Sequence, residues 1–190
     1  MEKCKMDNSV FPKHDLYVEP FGGAASVLLQ KTPAKMEIYN DLSSDVYNFF
    51  WVLRNKPTNL IKRISRTPFS REQFNKRFAH LKNPNRVIRA WAFLYASYMG
   101  IGGAPITNRK TGYRGNTKRY ETSIYTVWKG VPNNLIEVAE RLRRVNIHNR
   151  DYAWILQQYD SKKTLFYIDP PYVHSTRKSK VIYNKEMENH

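Results

Sequence analysis

Between Leu16 and Asn55 the chain reads strand, glycine turn, helix, strand, helix, and this alternation constrains the fold more than any other feature. LYVEPF (16–21) is a short strand-like run that ends at Gly22-Gly23, and AASVLLQK (24–31) places helix formers directly after it. KMEIYN (35–40) is a second such run, ending at Asn40-Asp41. LSSDVYNFFWVLRN (42–55) then carries apolar side chains at helical spacing, with Ser43 or Ser44 as N-cap. The pattern returns near the end of the sequence. VNIHN (145–149) is strand-like, Asp151 opens a helical stretch through AWILQQY, and TLFYID (164–169) is a short apolar run that suits a buried strand. The predicted fold class is α/β, with a parallel sheet.

The intervening segment lacks the alternation. Helices are predicted at about 58–66, 71–80 and 85–99, the last with a largely buried face of Trp91, Phe93, Leu94, Tyr95 and Tyr98. The stretch 100–130 is rich in Gly, Thr and Arg, and Gly102, Gly103, Pro105, Gly112 and Gly115 mark turns, so short β-hairpins or an irregular loop are expected there. NNLIEVAERLRRV (133–145) reads as an amphipathic helix. The expected organisation is a discontinuous sheet domain, residues 1–55 and 145–190, with a mostly helical insertion at 56–144.

Charge separates the same segments. The formal net charge is +16, a value that suits nucleic acid, ribosome or membrane surfaces alike. From Arg54 to Arg150 there are 21 Lys/Arg against four Asp/Glu, a net of +17, and the remainder carries 11 against 12, a net of −1. In RKTGYRGNTKRY (109–120) basic residues alternate with aromatic and polar ones, which suits phosphate contacts better than a merely solvated basic surface. Arg109, Lys110, Arg114, Lys118 and Arg119 are the candidate nucleic-acid contacts. No apolar run approaches the ~20 residues needed to span a bilayer, and the start, MEKCKMDNSVFPKHD, has no apolar core of a secretory signal. The single cysteine, Cys4, excludes an intramolecular disulfide and a cysteine-based zinc cluster. His14, His80, His148, His174 and His190 show no ligand spacing, so no metal is expected. A soluble protein of a reducing compartment fits these features.

Three places carry candidate chemistry. EPFGGAAS (19–26) puts glycines at the carboxyl end of a first strand, where α/β sheets bind ligands, although a Gly pair there can be only a turn. Asp41 and Asp151 each follow a strand, where a carboxylate can accept hydrogen bonds from ribose hydroxyls or simply cap the next helix. Asp169-Pro170-Pro171-Tyr172 is the strongest signal. Two prolines fix φ and remove two backbone donors, leaving a carboxylate, carbonyl oxygens and an aromatic face. An exocyclic amino group on a planar base needs those acceptors and that stacking surface.

EPFGG (19–23), ND (40–41), NRD (149–151) and DPPY (169–172) stand in the order found in Dam-like adenine-N6 DNA methyltransferases, and the chain resembles that family over nearly its whole length. Tyr183, Glu186, Met187 and His190 resemble the family's continuation beyond the tetrapeptide. The resemblance implies a Rossmann-like methyltransferase sheet with an inserted target-recognition domain, S-adenosylmethionine as cofactor, and double-stranded DNA as partner. It implies that Pro20, Phe21, Gly22, Gly23 and Ala24 line the methionine end of the cofactor. Asp41 would hold the ribose, and Asp151 would lie near the adenine. Asp169 and the Pro170 carbonyl would accept hydrogen bonds from N6 of the target adenine, on which Tyr172 would stack. A cytoplasmic monomer of a bacterial or phage-infected cell is expected, in a restriction–modification or phage setting. Departures are the family's Gly-Gly-Lys segment, which is not found before Leu16, and its further strands after the position of His190. These imply an incomplete sheet, an exposed edge and reduced stability. Two alternatives stand beside this reading. RNA-base or protein-glutamine methylation more often goes with Asn-Pro-Pro-Tyr, whereas this chain has Asp169. The other is a truncated, catalytically silent DNA-binding remnant.

Overall fold

The computed structural model describes residues 11–101, 112–115 and 124–171. Cys4, Arg109, Lys110, Lys118, Arg119, Tyr172, His174 and the Tyr183–His190 motif lie outside the described residues. The described chain forms two compact units, one of residues 11–47 and 141–171, the other within 48–140.

The first unit is built on four parallel strands: β1 (Leu16–Glu19), β2 (Met36–Asn40), β3 (Val145–His148) and β4 (Thr164–Phe166), in the order β3-β2-β1-β4. Leu16 registers with Met36 on one side of β1 and with Thr164 on the other, and Glu37 registers with Val145. Helix α1 (Ser26–Gln30) joins β1 to β2, α2 (Ser44–Asn55) leaves β2, and α8 (Tyr152–Tyr159) joins β3 to β4. The α/β class and the parallel sheet expected from the alternation are therefore present.

Because side chains alternate across a strand, each inner strand contributes to two faces. Val18 and Ile38, paired in register, form one apolar face with Ile155 of α8, and Leu16, Tyr159 and Phe166 pack around it. The opposite face holds Tyr17, Glu19, Glu37 and Tyr39, all buried. Buried carboxylates need partners, and Glu37 has several. Its Oε1 accepts from Lys31 Nζ at 3.2 Å, from Ala34 N at 3.1 Å and from Arg141 Nη2 at 2.8 Å, while Oε2 accepts from Arg141 Nη1. Arg141 Nη2 also donates to Leu28 O at 2.8 Å, and Lys31 Nζ lies 4.4 Å from the Tyr17 ring centre. Burial pushes the Glu37 carboxyl up, but hydrogen bonds from Arg141 and Ala34 outweigh it and hold the group below its ordinary value. One carboxylate thus ties α1, β2 and the end of the long helix α7 (Ile124–Leu142).

The second unit contains the rest of α2, then α3 (Pro57–Ser65), α4 (Arg71–Asn75), α5 (Arg77–Leu81), α6 (Arg86–Met99) and most of α7. Its starts follow capping chemistry. Pro57 opens α3, Ser70 Oγ accepts from Gln73 N, and Asn85 Oδ1 accepts from Val87 N and Ile88 N. Trp91 stacks on Tyr95, Tyr95 and Tyr98 meet Trp128 edge-on, and Tyr95 Oη donates to Ser70 O at 2.8 Å.

Two expectations need correction. Residues 124–130 were expected in the turn-rich stretch 100–130, and the next helix from 133, yet α7 begins at Ile124 and runs through Gly130 and Pro132. Trp128, Val131, Leu135 and Ala139 recur at helical spacing and are all buried, and their burial outweighs the local cost of the breakers. The antiparallel bridge Gly100↔Tyr113 is the only hairpin-like pairing among the described residues of 100–130. The second correction is β4. It spans only Thr164–Phe166, each half-buried, and Ile168 is 55% exposed, because β4 is an edge of the described sheet and pairs with β1 alone.

Glu37→Ala is expected to destabilise the protein by about 3–5 kcal/mol, since it leaves Lys31 buried without its carboxylate. Denaturant unfolding checks this; a loss under about 1 kcal/mol would mean that the network is energetically neutral.

Candidate active site

At the carboxyl ends of the strands the backbone leaves its ladder, and each exit is shaped by a specific contact. β1 exits into Pro20–Ala25. A Cβ on Gly22 would stand 2.0 Å from Tyr39 Cε2, and the buried Tyr39 ring has its hydroxyl fixed to Gly23 O at 2.7 Å. Gly23 has φ +49°, a left-handed conformation, with nothing within 4 Å of where a Cβ would lie. One glycine is thus required by close approach and the other by backbone conformation. Ala25 also takes a left-handed conformation, φ 55°, as the cap of the five-residue α1. Pro20 is buried, with its carbonyl committed to Asn40; Phe21 and Gly22 are half-buried, and Gly23 and Ala24 are exposed.

β2 exits through Asn40-Asp41. Asp41 Oδ2 accepts from Gly23 N at 2.9 Å and Oδ1 from Ser43 N at 2.7 Å. It therefore closes the glycine turn and also prepares the start of α2. A carboxylate has about four acceptor sites, so each Asp41 oxygen retains capacity for a further donor. Burial raises its pKa above the ordinary value, against the opposing effect of the Ser43 and Gly23 N–H groups.

Beside it, β3 exits through Asn149-Arg150-Asp151. Asn149 Nδ2 donates to Asp41 O at 2.7 Å. Asp151 is the N-cap of α8, its Oδ1 accepting from Ala153 N at 2.8 Å. Asp41 and Asp151 thus follow adjacent strands; Asp151 performs the capping that was its simpler reading, whereas Asp41 bonds the Ser43 N–H just ahead of α2. Phe21 and Tyr152 bring their rings to 5.2 Å, tilted by 34°, across the first and third exits.

β4 exits on the other side of β1. Tyr167 N donates to Val18 O at 2.9 Å, the last tie before Asp169, which is exposed and has no hydrogen-bond partner among the described residues. Pro170 and Pro171 follow in irregular backbone. From β1 the chain proceeds outward to β2 and β3, whereas β4 lies on β1's opposite side. The crevice outside such a reversal is where open α/β sheets bind ligands. The glycine turn and Asp169 flank that reversal from its two sides. Arg114 belongs to the second unit; its N donates to Met99 O at 2.8 Å, and its Nε has no hydrogen-bond partner among the described residues.

Two residues escaped the sequence reading. Asn40 stands in the Asn-Asp pair, but only Asp41 was given a role; its side chain is 1% exposed and fully hydrogen-bonded. Glu19, 2% exposed, accepts from Tyr17 Oη and Leu28 N, both at 2.7 Å. Burial pushes its pKa up to about 7. A glutamate at the last position of a strand buried on both faces was the available signal.

The fold and these exits define an α/β protein whose parallel sheet gathers a glycine turn, two strand-end carboxylates and a proline-stiffened Asp169 at one end. The chain belongs to the family of D12 class N6 adenine-specific DNA methyltransferases, which it matches over residues 7–190. It is 28% identical over 173 residues to the Type II methyltransferase M.MjaIII of Methanocaldococcus jannaschii, covering 82% of this chain and 58% of that protein. It is 27% identical over 169 residues to the DNA adenine methylases of Salmonella typhi and Escherichia coli K12, covering 85% of this chain and 57% of each. The chain therefore spans somewhat over half the length of these curated relatives. Among the described residues no helix is long and apolar enough to cross a membrane, and no group of three or more His, Cys, Asp or Glu could hold a metal ion.

Two predictions follow from the exits. Gly22→Ala should cost ~3 kcal/mol by overpacking against Tyr39, and Gly23→Ala only ~1–2 kcal/mol through its left-handed backbone; equal losses on denaturant unfolding would contradict this assignment. Glu19 has a folded pKa raised from 4.5 to about 7, so its contribution is present at low pH and lost as pH rises through about 7. Glu19→Gln should leave stability nearly unchanged at pH 4 and raise it by ~1–3 kcal/mol at pH 8, measured by unfolding at both pH values.

Proposed function

We propose that this chain is a site-specific DNA adenine methyltransferase, transferring a methyl group from S-adenosylmethionine to N6 of an adenine in double-stranded DNA. The observation that carries the reading is the placement of the glycine turn and Asp169 on either side of the β1/β4 reversal, in a chain of this family. The sheet, with its order β3-β2-β1-β4, is read as Rossmann-like.

The residues at the strand ends suit the cofactor. Gly23 exposes backbone with no neighbour where a side chain would stand, and Asp41 keeps acceptor capacity for ribose hydroxyls. In this reading Pro20, Phe21, Gly22, Gly23 and Ala24 form the wall for its methionine end. Asp41 takes the ribose, and Asp151 stands by the adenine. S-adenosylmethionine supplies a methyl group already activated by a sulfonium, so no covalent enzyme intermediate is needed.

The chain's task is to prepare the nucleophile. The N6 lone pair is delocalised into the adenine ring, and stacking hides N6 in the duplex, so the base must leave the helix. Asp169 and the Pro170 carbonyl accept the two N6 hydrogens, localise the lone pair and stabilise positive charge as it develops on nitrogen. Pro170 and Pro171 hold those acceptors in a stiff turn. Tyr172 offers a face on which the displaced base stacks. The proton lost from N6 is acidic once the methyl has transferred, so Asp169 need not be a strong base. Segment 56–144 serves as the target-recognition domain, where Arg109, Lys110, Arg114, Lys118 and Arg119 contact DNA. The protein acts as a monomer in the cytoplasm.

Incubation with methyl-labelled S-adenosylmethionine and unmethylated DNA should place label in N6-methyladenine, and Asp169→Ala should lower the rate at least ~100-fold. Absence of label from folded protein would reduce the reading to DNA binding without catalysis.

A further inference from the structure

The side chain of Asn40 is buried at the centre of the three strand exits, and its hydrogen-bond partners among the described residues are all main chain. Its Nδ2 donates to Pro20 O at 2.8 Å and to Arg150 O at 3.0 Å, and its Oδ1 accepts from Arg150 N at 2.9 Å. Its own carbonyl accepts from Gly22 N at 2.8 Å. Pro20 and Gly22 belong to the β1 exit, and Arg150 lies between Asn149 and Asp151 in the β3 exit. Neither of those exits is joined to the other by a strand pairing, since β2 lies between β1 and β3.

We infer that Asn40 is a positioning residue for the cofactor pocket: its amide fixes the spacing between the glycine turn and the Asp151 loop, on either side of Asp41. This rests on the proposed S-adenosylmethionine site. The chemistry selects an amide. Both donors and the acceptor are used, and no other side chain of this size presents two N–H groups and a carbonyl. Asn40→Asp replaces the donors by oxygen facing two carbonyls. Asn40→Ala removes all three bonds, which takes the buried Pro20 carbonyl and the part-buried Arg150 main-chain groups away from their amide partner. Either change removes the direct tie between the glycine turn and the Asp151 loop and loosens their spacing, while Asp41 itself keeps its bonds to Gly23 and Ser43.

The test is calorimetric binding of S-adenosylhomocysteine to the full chain, with DNA affinity measured in parallel and thermal unfolding as a control for folding. Wild-type protein should bind; failure to bind would overturn the cofactor site itself and leave Asn40 without this role. Given wild-type binding, Asn40→Asp and Asn40→Ala should weaken it at least ~10-fold, equivalent to ~1.4 kcal/mol, with DNA affinity changed less than about twofold. In turnover the loss should appear in KM for S-adenosylmethionine more than in kcat. Unchanged affinity in either folded variant would overturn the inference, as would equal loss of cofactor and DNA binding. Should Asn40→Ala fail to fold, Asn40→Ser, which keeps one donor and acceptor, gives the same reading with a smaller effect.

Discussion

A parallel sheet ends with peptide groups that no neighbouring strand can satisfy, and here the buried amide of Asn40 takes several of them, beside the side chains of Asp41, Asn149 and Asp151. Asn40 takes two carbonyls and one N–H from exits on both sides of β2, and its carbonyl takes another N–H. Water could satisfy the same groups, but it would leave the exits free to move independently. With the amide in place, the glycine turn, Asp41 and the Asp151 loop share one framework of hydrogen bonds. Everything proposed for the site presupposes that these loops keep their separation, because a group misplaced by ~1 Å can cost two orders of magnitude in rate.

The two ends of the same sheet treat buried polarity differently. Near the amino end, Glu37 is held ionised between Lys31 and Arg141. Near the carboxyl end, Glu19 receives only a phenol and a backbone N–H, and its pKa moves to about 7. Ion pairing therefore fastens α1 and the Arg141 end of α7 to the end of the sheet away from the exits. Hydrogen bonds from main-chain N–H groups and a phenol, rather than from Lys or Arg, hold the carboxyl groups of Glu19, Asp41 and Asp151 at the end where a cationic sulfonium and an anionic polymer are proposed to meet. An ionic network there would compete electrostatically with both.

Much of the sheet unit was legible in the sequence. The runs around residues 16–21, 35–40 and 145–149 became strands, and Asp151 opens its helix as a hydrogen-bonding side chain placed before helical spacing. The site motifs were legible as motifs, and the structure adds that Asp41 and Asp151 sit on neighbouring strands. What stayed hidden depends on distant partners. Arg141 meets Glu37 across 104 positions and Asn40 meets Arg150 across 110, separations at which no local pattern exists. The early start of α7 was masked by Gly130 and Pro132, whose local preference is overruled by a buried face visible only after folding. The run 164–169 did supply a strand, but β4 is shorter and only half-buried where a buried strand was expected, because position in the sheet is not written locally.

The sheet's register has a consequence for how the protein reaches its native state. Only β1 and β2 are near neighbours in sequence; β2 must find β3 beyond the whole helical segment, and β1 must find β4 later still. Loop closure grows only as the logarithm of loop length, so this arrangement takes little from equilibrium stability. Its toll is on time, because pairings of high sequence separation form slowly. During synthesis the edges of the β1–β2 pair emerge long before their partners and stay open until residues 145–166 arrive. Prior compaction of the intervening helices would shorten the loop that β2 with β3, and β1 with β4, must then close, making that segment an aid to assembly.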